Sequence, residues 1–96
     1  MEKELLLVVE YKMLPGRRDA FLQAAADLCA YFNTEPGCIC YRYLTDPADP
    51  DALVLVERWQ KAQDQQAHMQ TEQFAALRAM KDDYIAASSM RSYTEN

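Results

Sequence analysis

Glu57, Trp59 and His68 are the residues whose types and positions could do chemistry together, and all three fall in the stretch 53–74. The chain has one histidine and one tryptophan. Histidine changes its charge close to neutral pH, so it can take or give a proton. An indole N–H donates a hydrogen bond, and a carboxylate accepts one. Together these groups could deprotonate a bound molecule and stabilise the resulting anion.

Each of these side chains also has a structural interpretation. A single histidine on a helix is often a hydrogen-bonded scaffold group, and a tryptophan is often part of the core. Glu57 shares one face of a predicted strand with Leu53, Leu55 and Trp59. A carboxylate on such an apolar face must be paired, hydrated in a cavity or partly protonated.

Length and charge exclude several classes of protein. A chain of 96 residues predicts one domain, residues 1–96. The net charge is −5 and no basic run exists, so we expect no nucleic-acid partner. The longest apolar run, 5–9, is too short to span a membrane, and the N-terminus lacks the pattern of a signal peptide. We therefore expect a cytoplasmic protein with no membrane partner.

The cysteines predict neither a disulfide framework nor a metal site. The chain has three of them, an odd count for a disulfide scaffold. Strand alternation places Cys38 and Cys40 on the same face, about 7 Å apart. With a single histidine in the chain, further ligands are lacking, so we interpret both cysteines as packing residues and expect no metal.

The periodicity of apolar residues predicts the element order β-α-β-β-α-β. Turn residues at Pro15-Gly16 and Glu35-Pro36-Gly37 separate the first three elements, and an acidic loop, 46–51, joins the second and third strands. The predicted strands are 5–13, 38–45, 52–60 and 84–93, and the predicted helices are 17–33 and 61–80, the latter broken near Thr71, a possible N-cap. Four antiparallel strands with two helices on one face form an α+β, ferredoxin-like sandwich.

The sheet carries apolar residues on both of its faces. Helices cover only one face of the sheet. The apolar residues at 5, 7, 9, 53 and 55 occupy one face, yet the residues between them, Leu6, Val8, Val54 and Val56, are apolar as well. An uncovered apolar face of this kind marks an interaction surface, so we predict a homodimer formed through the sheet.

Short motifs along nearly the whole chain resemble those of the antibiotic biosynthesis monooxygenase (ABM) domain family. They are Glu35-Pro36-Gly37-Cys38 before a strand, Asp46-Pro47 in a loop, Val56-Glu57-Arg58-Trp59, and Ala67-His68-Met69 leading to Phe74. The resemblance implies a dimeric α+β barrel, with a cavity between helices and sheet in each subunit. Family members include cofactor-independent oxygenases of polyketides and quinols, haem-degrading oxygenases and an isomerase-like branch.

The resemblance implies a cofactor-independent monooxygenase acting on a phenolic, quinol or polyketide-like substrate. Deprotonating such a substrate makes an anion that can reduce oxygen by one electron, which requires a base, a dry pocket and hydrogen-bond donors. His68 is the candidate base, beside Trp59 and Glu57, and Glu57 would orient His68 or bind a hydroxyl. The candidate substrate-binding residues are Tyr11, Tyr41, Tyr43, Gln65 and Phe74.

Two departures from the family pattern bear on cofactor and ligand. The haem-degrading branch uses a histidine late in the second helix, where this chain has Arg78 and Lys81, so we expect no haem and no other cofactor. Gln65 stands where the family usually has leucine, which favours a more polar ligand. The alternative functions are a non-catalytic dimeric domain that binds a small aromatic or polar metabolite, and an isomerase of a small polar metabolite.

Overall fold

Alternating apolar residues fold into a four-stranded antiparallel sheet in the computed structural model, which describes residues 2–96. The strand order is β2-β3-β1-β4, and the helices lie on one side, which confirms the predicted ferredoxin-like arrangement. The elements are β1 (Leu5–Met13), α1 (Arg18–Phe32), β2 (Cys38–Asp46), β3 (Asp49–Trp59), α2 (Ala62–His68), α3 (Glu72–Met80), a 3-10 turn (Lys81–Asp83) and β4 (Ile85–Thr94).

The core lies between one face of the sheet and the helices. Every second residue of β1 and β3 points into it, and α1 adds Phe21, Ala25 and Phe32. The buried residues of β1 and β3 are Leu7, Val9, Tyr11, Met13, Leu53, Leu55, Glu57 and Trp59, and β2 adds Tyr41. Glu57 therefore lies on an apolar, buried face, as the alternation of β3 predicts.

The hairpin between β2 and β3 is tighter than the sequence predicts. The acidic stretch was expected to form a loop over 46–51, but Asp46 and Asp49 pair with each other, so two residues connect the strands. The acids make this possible by accepting backbone hydrogen bonds: Asp46 Oδ1 accepts from the Ala48 N–H at 2.8 Å. Asp51 Oδ1 likewise accepts from the Gly16 N–H at 3.0 Å.

A β-bulge at the start of β2 corrects the prediction that Cys38 and Cys40 share a face. Cys38 lies opposite Trp59, whereas Cys40 lies opposite Arg58, the very next residue along β3. The extra residue on β2 reverses the alternation, because two residues there oppose one on the partner. Cys38 packs against the core, and neither cysteine is in a disulfide.

Asn33, directly after α1, fixes β2 against the end of the helix. Its side-chain Nδ2 donates to the carbonyl oxygen of Tyr41 at 2.9 Å, and its Oδ1 accepts from the Tyr41 N–H at 3.0 Å. Nδ2 also donates to the Cys29 carbonyl at 2.9 Å, within α1. The Asn33 amide thus pairs with Tyr41 as a neighbouring strand residue would.

The second predicted helix is divided into α2 and α3 at Thr71. The Thr71 hydroxyl accepts from the Phe74 N–H at 3.1 Å, which confirms it as the N-cap of α3. The same hydroxyl donates to the carbonyl of His68 at 2.8 Å, so it joins the end of α2 to the start of α3. This break places His68 and Phe74 side by side, with ring centroids 5.1 Å apart.

Candidate active site

A cavity of about 230 Å³ lies between the helix-covered face of the sheet and helices α2 and α3. Most of the residues predicted from the sequence to bind substrate line it, together with Glu57; these are Tyr11, Tyr41, Gln65 and Phe74. Val9, Leu55 and Leu77 supply apolar wall, and Ser88 and Met90 of β4 form one side. The cavity is therefore mainly apolar with a few polar groups, as is usual for small-molecule sites.

Three predicted residues do not line this cavity. His68 and Trp59 pack against each other with ring centroids 5.0 Å apart, and they are 2% and 0% exposed. Tyr43 packs edge-on against Tyr41 at 5.9 Å between centroids. The His68 ring also contacts Tyr41, at 5.7 Å, so all three residues lie directly behind the cavity wall.

Glu57 and Trp59 form a buried hydrogen-bonded pair. The Trp59 Nε1–H donates to Glu57 Oε1 at 3.1 Å, and Glu57 is only 6% exposed. Burial raises the pKa of the Glu57 carboxyl, because desolvation disfavours its charged form; the Trp59 hydrogen bond and the proximity of His68 and Lys81 act in the opposite direction. A carboxyl so placed holds a proton to higher pH than an exposed glutamate does.

His68 is held by a different carboxylate from the one that the sequence suggested. Its Nδ1 lies 2.6 Å from Oε1 of Glu35, in the turn before β2, rather than against Glu57. In the tautomer that donates from Nδ1 to the Glu35 carboxylate, Nε2 of the ring is left as an acceptor. Within residues 2–96 that Nε2 atom is buried and has no hydrogen-bond partner.

The turn that carries Glu35 fits closely against α2. Gly37 has a φ of +79°, which only glycine adopts readily. Its carbonyl accepts from the Gln60 N–H at 2.8 Å, and a Cβ at this position would clash with the Asp64 side chain, approaching its Cβ to 2.7 Å. The Glu-Pro-Gly motif thus supplies both the partner of His68 and the space that lets α2 approach.

A shallow depression lies on the outer side of the same carboxylate–histidine pair. It measures about 230 Å³ and is lined by Glu35, Asp64, His68, Thr71 and four neighbours. His68 contacts cavity residues Tyr41 and Phe74 on its inner side. The pair therefore lies between the cavity and the outer surface.

The tyrosines of the cavity keep their protons at neutral pH. Burial, with a smaller effect of the Glu57 charge, raises the pKa of Tyr11 to about 12. Burial likewise raises the pKa values of Tyr41 and Tyr43. Tyr11 and Tyr41 therefore line the cavity as neutral phenols, which can both donate and accept hydrogen bonds.

Lys81 also lines the cavity, although the sequence suggested only that it replaces a haem ligand. Its Nζ lies 5.8 Å from the centre of the Tyr11 ring. Burial lowers its pKa, the nearby Arg78 lowers it further, and Glu57 acts in the opposite direction. The sequence held one signal for this position. Lys81 directly follows α3 and is one helical turn after the buried Leu77, so the two side chains lie on the same side of the helix.

The described part of the chain offers no site of two other kinds, a metal centre and a membrane span. Between residues 2 and 96 no group of three or more His, Cys, Asp or Glu side chains is arranged to hold a metal ion. In that range there is also no helix with the length and hydropathy needed to cross a membrane.

The fold, with a buried acid–base cluster beside a small cavity, defines a small α+β domain of the ferredoxin-like class. The sequence profile of the antibiotic biosynthesis monooxygenase family matches residues 5–80, and the chain belongs to this family. No curated protein matches the chain.

Solved structures share this fold over nearly their whole length. A candidate antibiotic biosynthesis monooxygenase from Nitrosomonas europaea is 22% identical, with 99% of this chain and 92% of that chain covered and a TM-score of 0.91. One from Chloroflexus aurantiacus is 26% identical, covering 97% and 93%, with a TM-score of 0.83. A protein of Bacteroides thetaiotaomicron described as a possible oxidoreductase is 23% identical, covering 99% and 100%, at 0.89.

Proposed function

We propose that this protein is a cofactor-independent monooxygenase that oxidises a small phenol or quinol in the cavity beside Glu57. A base takes the hydroxyl proton, and the anion gives one electron to O₂. The resulting radical and superoxide combine to form a hydroperoxide on a ring carbon. Its O–O bond then breaks as that carbon loses its hydrogen, so one oxygen atom remains as a new carbonyl of a quinone and the other leaves as water. The substrate supplies all the electrons, so this reaction requires no external reductant.

The observation that carries this proposal is the buried pair of Glu35 and His68 next to the cavity. A carboxylate 2.6 Å from Nδ1 fixes the ring and stabilises the imidazolium that forms when Nε2 takes a proton. Leaving a buried polar atom such as Nε2 unpartnered costs about 1–3 kcal/mol. A hydroxyl of the substrate would remove that cost by donating to Nε2.

Access to Nε2 depends on the two rings that separate His68 from the cavity. Tyr41 and Phe74 both contact His68 and both line the cavity. We propose that a rotation of one of these rings lets the hydroxyl reach Nε2 when substrate binds. A catalytic contact of this kind often tightens only in the substrate complex.

Glu57 is a second candidate for the base, favoured by its place on the cavity wall. Its raised pKa makes it a stronger base than an exposed glutamate. Its hydrogen bond from Trp59 holds it in place. His68→Gln and Glu57→Gln separate the two assignments, because the larger loss of rate belongs to the base.

The proposed activity is tested by oxygen uptake with hydroquinones, without added flavin, metal or haem. Consumption of one O₂ per substrate, lost in His68→Gln, supports the proposal. Ligand binding without uptake would instead support the non-catalytic binding domain. Exchange of substrate protons with solvent, again without uptake, would support the isomerase, since the same acid–base groups serve both reactions.

The expected absence of haem has its own test. Haemin titrated into the purified protein should give no sharp Soret shift, because the position of the haem-ligating histidine holds no histidine here. A stoichiometric shift that His68→Ala removes would overturn this expectation.

We further propose a homodimer formed through the face of the sheet opposite the helices. Leu6, Val8, Val54 and Val56 are half-buried there, while Leu44 and Tyr93 are 40% and 47% exposed. Pairing this face with its copy would remove the apolar surface from water. The helix-side cavity would remain within each subunit.

A further inference from the structure

The size of the cavity suits a ligand with one substituted aromatic ring. A cavity of about 150 Å³ in another protein holds benzene. The cavity here, at about 230 Å³, has room for one ring and a few substituent atoms. A fused polyketide of three or four rings exceeds this volume.

The charges in the cavity are opposite but do not meet. Glu57 and Lys81 both line it, yet among residues 2–96 neither side chain belongs to a salt bridge. The only side-chain hydrogen bond to Glu57 within these residues comes from Trp59. The two groups therefore line the same cavity without forming an ion pair with each other.

Lys81 supplies the positive charge that lines the cavity. Lys81 is half-buried and its ammonium faces the Tyr11 ring, which compensates a cation only modestly. Arg78 adds a second positive charge nearby. A desolvated cation without an ion pair is stabilised by an anionic ligand.

The geometry points to a one-ring phenol or hydroquinone that carries a carboxylate. The carboxylate binds Lys81, and the reacting hydroxyl lies on the acid–base side of the cavity, where Glu57 lines the wall and Tyr41 and Phe74 separate it from His68. This assignment rests on the proposed function for the reacting hydroxyl. Recognition of the carboxylate is a binding event and does not depend on whether oxygen is consumed. Lys81 is then a specificity-determining residue.

The test compares binding of 2,5-dihydroxybenzoate with that of its methyl ester, under anaerobic conditions by calorimetry. We expect the acid to bind about ten- to a hundredfold more tightly, because one hydrogen bond to a charged group contributes roughly that much affinity. Lys81→Met should abolish this preference, and Lys81→Arg should keep part of it. Lys61→Met is the matched control, because Lys61 pairs with Glu2 at 3.6 Å, away from the cavity, and should retain the preference.

Equal affinity of acid and ester for the wild type, or an unchanged preference in folded Lys81→Met, would overturn the inference. Failure of the oxygenase proposal has a different signature: the acid binds preferentially, but neither probe is consumed when oxygen is admitted. Rapid oxidation of hydroquinone with no preference for the acid would contradict the carboxylate assignment but would still support the oxygenase proposal.

Discussion

Nδ1 of His68 lies 2.6 Å from Oε1 of Glu35, a contact between residues 33 positions apart in the chain. The two side chains are 1% and 7% exposed, so the pair is withdrawn from solvent. It joins the end of α2 to the turn before β2. A buried carboxylate–imidazole pair of this type fixes one ring nitrogen as a donor and leaves the other free for chemistry.

Replacing His68 by Gln should lower the rate of substrate oxidation by roughly 10²–10⁴. Glutamine keeps hydrogen bonding at this position but removes the base. The initial rate of oxygen uptake measures the effect, after circular dichroism has shown that the variant is folded. A folded, fully active variant would show that His68 is scaffold and would leave Glu57 as the base.

Replacing Glu35 by Gln should slow the reaction less, roughly ten- to a hundredfold. The amide oxygen can still accept from Nδ1, but it no longer offers a charge to stabilise the imidazolium. Asp64→Asn is the matched control, because Asp64 lines the same outer depression and makes no hydrogen bond to His68. Equal rates for Glu35→Gln and the wild type would contradict a role for the Glu35 charge.

Glu57→Gln should raise the melting temperature at neutral pH. The folded-state pKa of Glu57 is raised, so the wild type loses stability as pH rises through that value. At pH values below the ordinary glutamate range the residue is protonated in both folded and unfolded states, and the gain should disappear. Melting curves of the two proteins from acidic to neutral pH provide the measurement, and a pH-independent difference would contradict this assignment.

Val56→Asp should convert the proposed homodimer to a monomer. Val56 lies on the sheet face opposite the helices, between Val8 and Arg42 in the strand register. Sedimentation at micromolar concentration should give a dimer of the 11.0 kDa wild-type chain and a monomer of the variant. Ala24→Asp, on the exposed side of α1, is the control that should stay dimeric. A monomeric wild type would refute the prediction.

Gly37→Ala should destabilise the protein more than Gly16→Ala does. Both glycines have positive φ, +79° and +74°, so both variants carry the left-handed backbone penalty of about 1–2 kcal/mol. Only at Gly37 would the new Cβ meet Asp64, whereas Gly16 has open space around it. The difference between the unfolding free energies of the two variants in urea measures the effect of the clash. Equal destabilisation would show that α2 can move away from the new Cβ with no loss of stability.

Periodicity and turn residues were sufficient to predict the fold. The alternation in β1 and β3 predicted the buried face that carries Glu57, and the sheet order follows from the element order. The bulge at Cys38–Cys40 was not predictable, because register depends on the partner strand.

The candidate site was predicted in part. The cluster of Glu57, Trp59 and His68 was recognised from residue types, but the partner of His68 was not, because Glu35 approaches only through the packing of a distant turn on α2. Lys81 was not assigned to the cavity for a similar reason. The direction in which the Lys81 side chain points depends on how the end of α3 packs against Tyr11.

The amide of Asn33 affects whether another chain can pair with the β2 edge of the sheet. β2 is at one edge of the sheet, and an edge strand with unpaired backbone groups is a template for another chain to add to it. Asn33 occupies both backbone groups of Tyr41 on that edge. One side chain therefore blocks strand addition in the middle of β2, which disfavours open-ended fibres and is compatible with the proposed pairing of sheet faces.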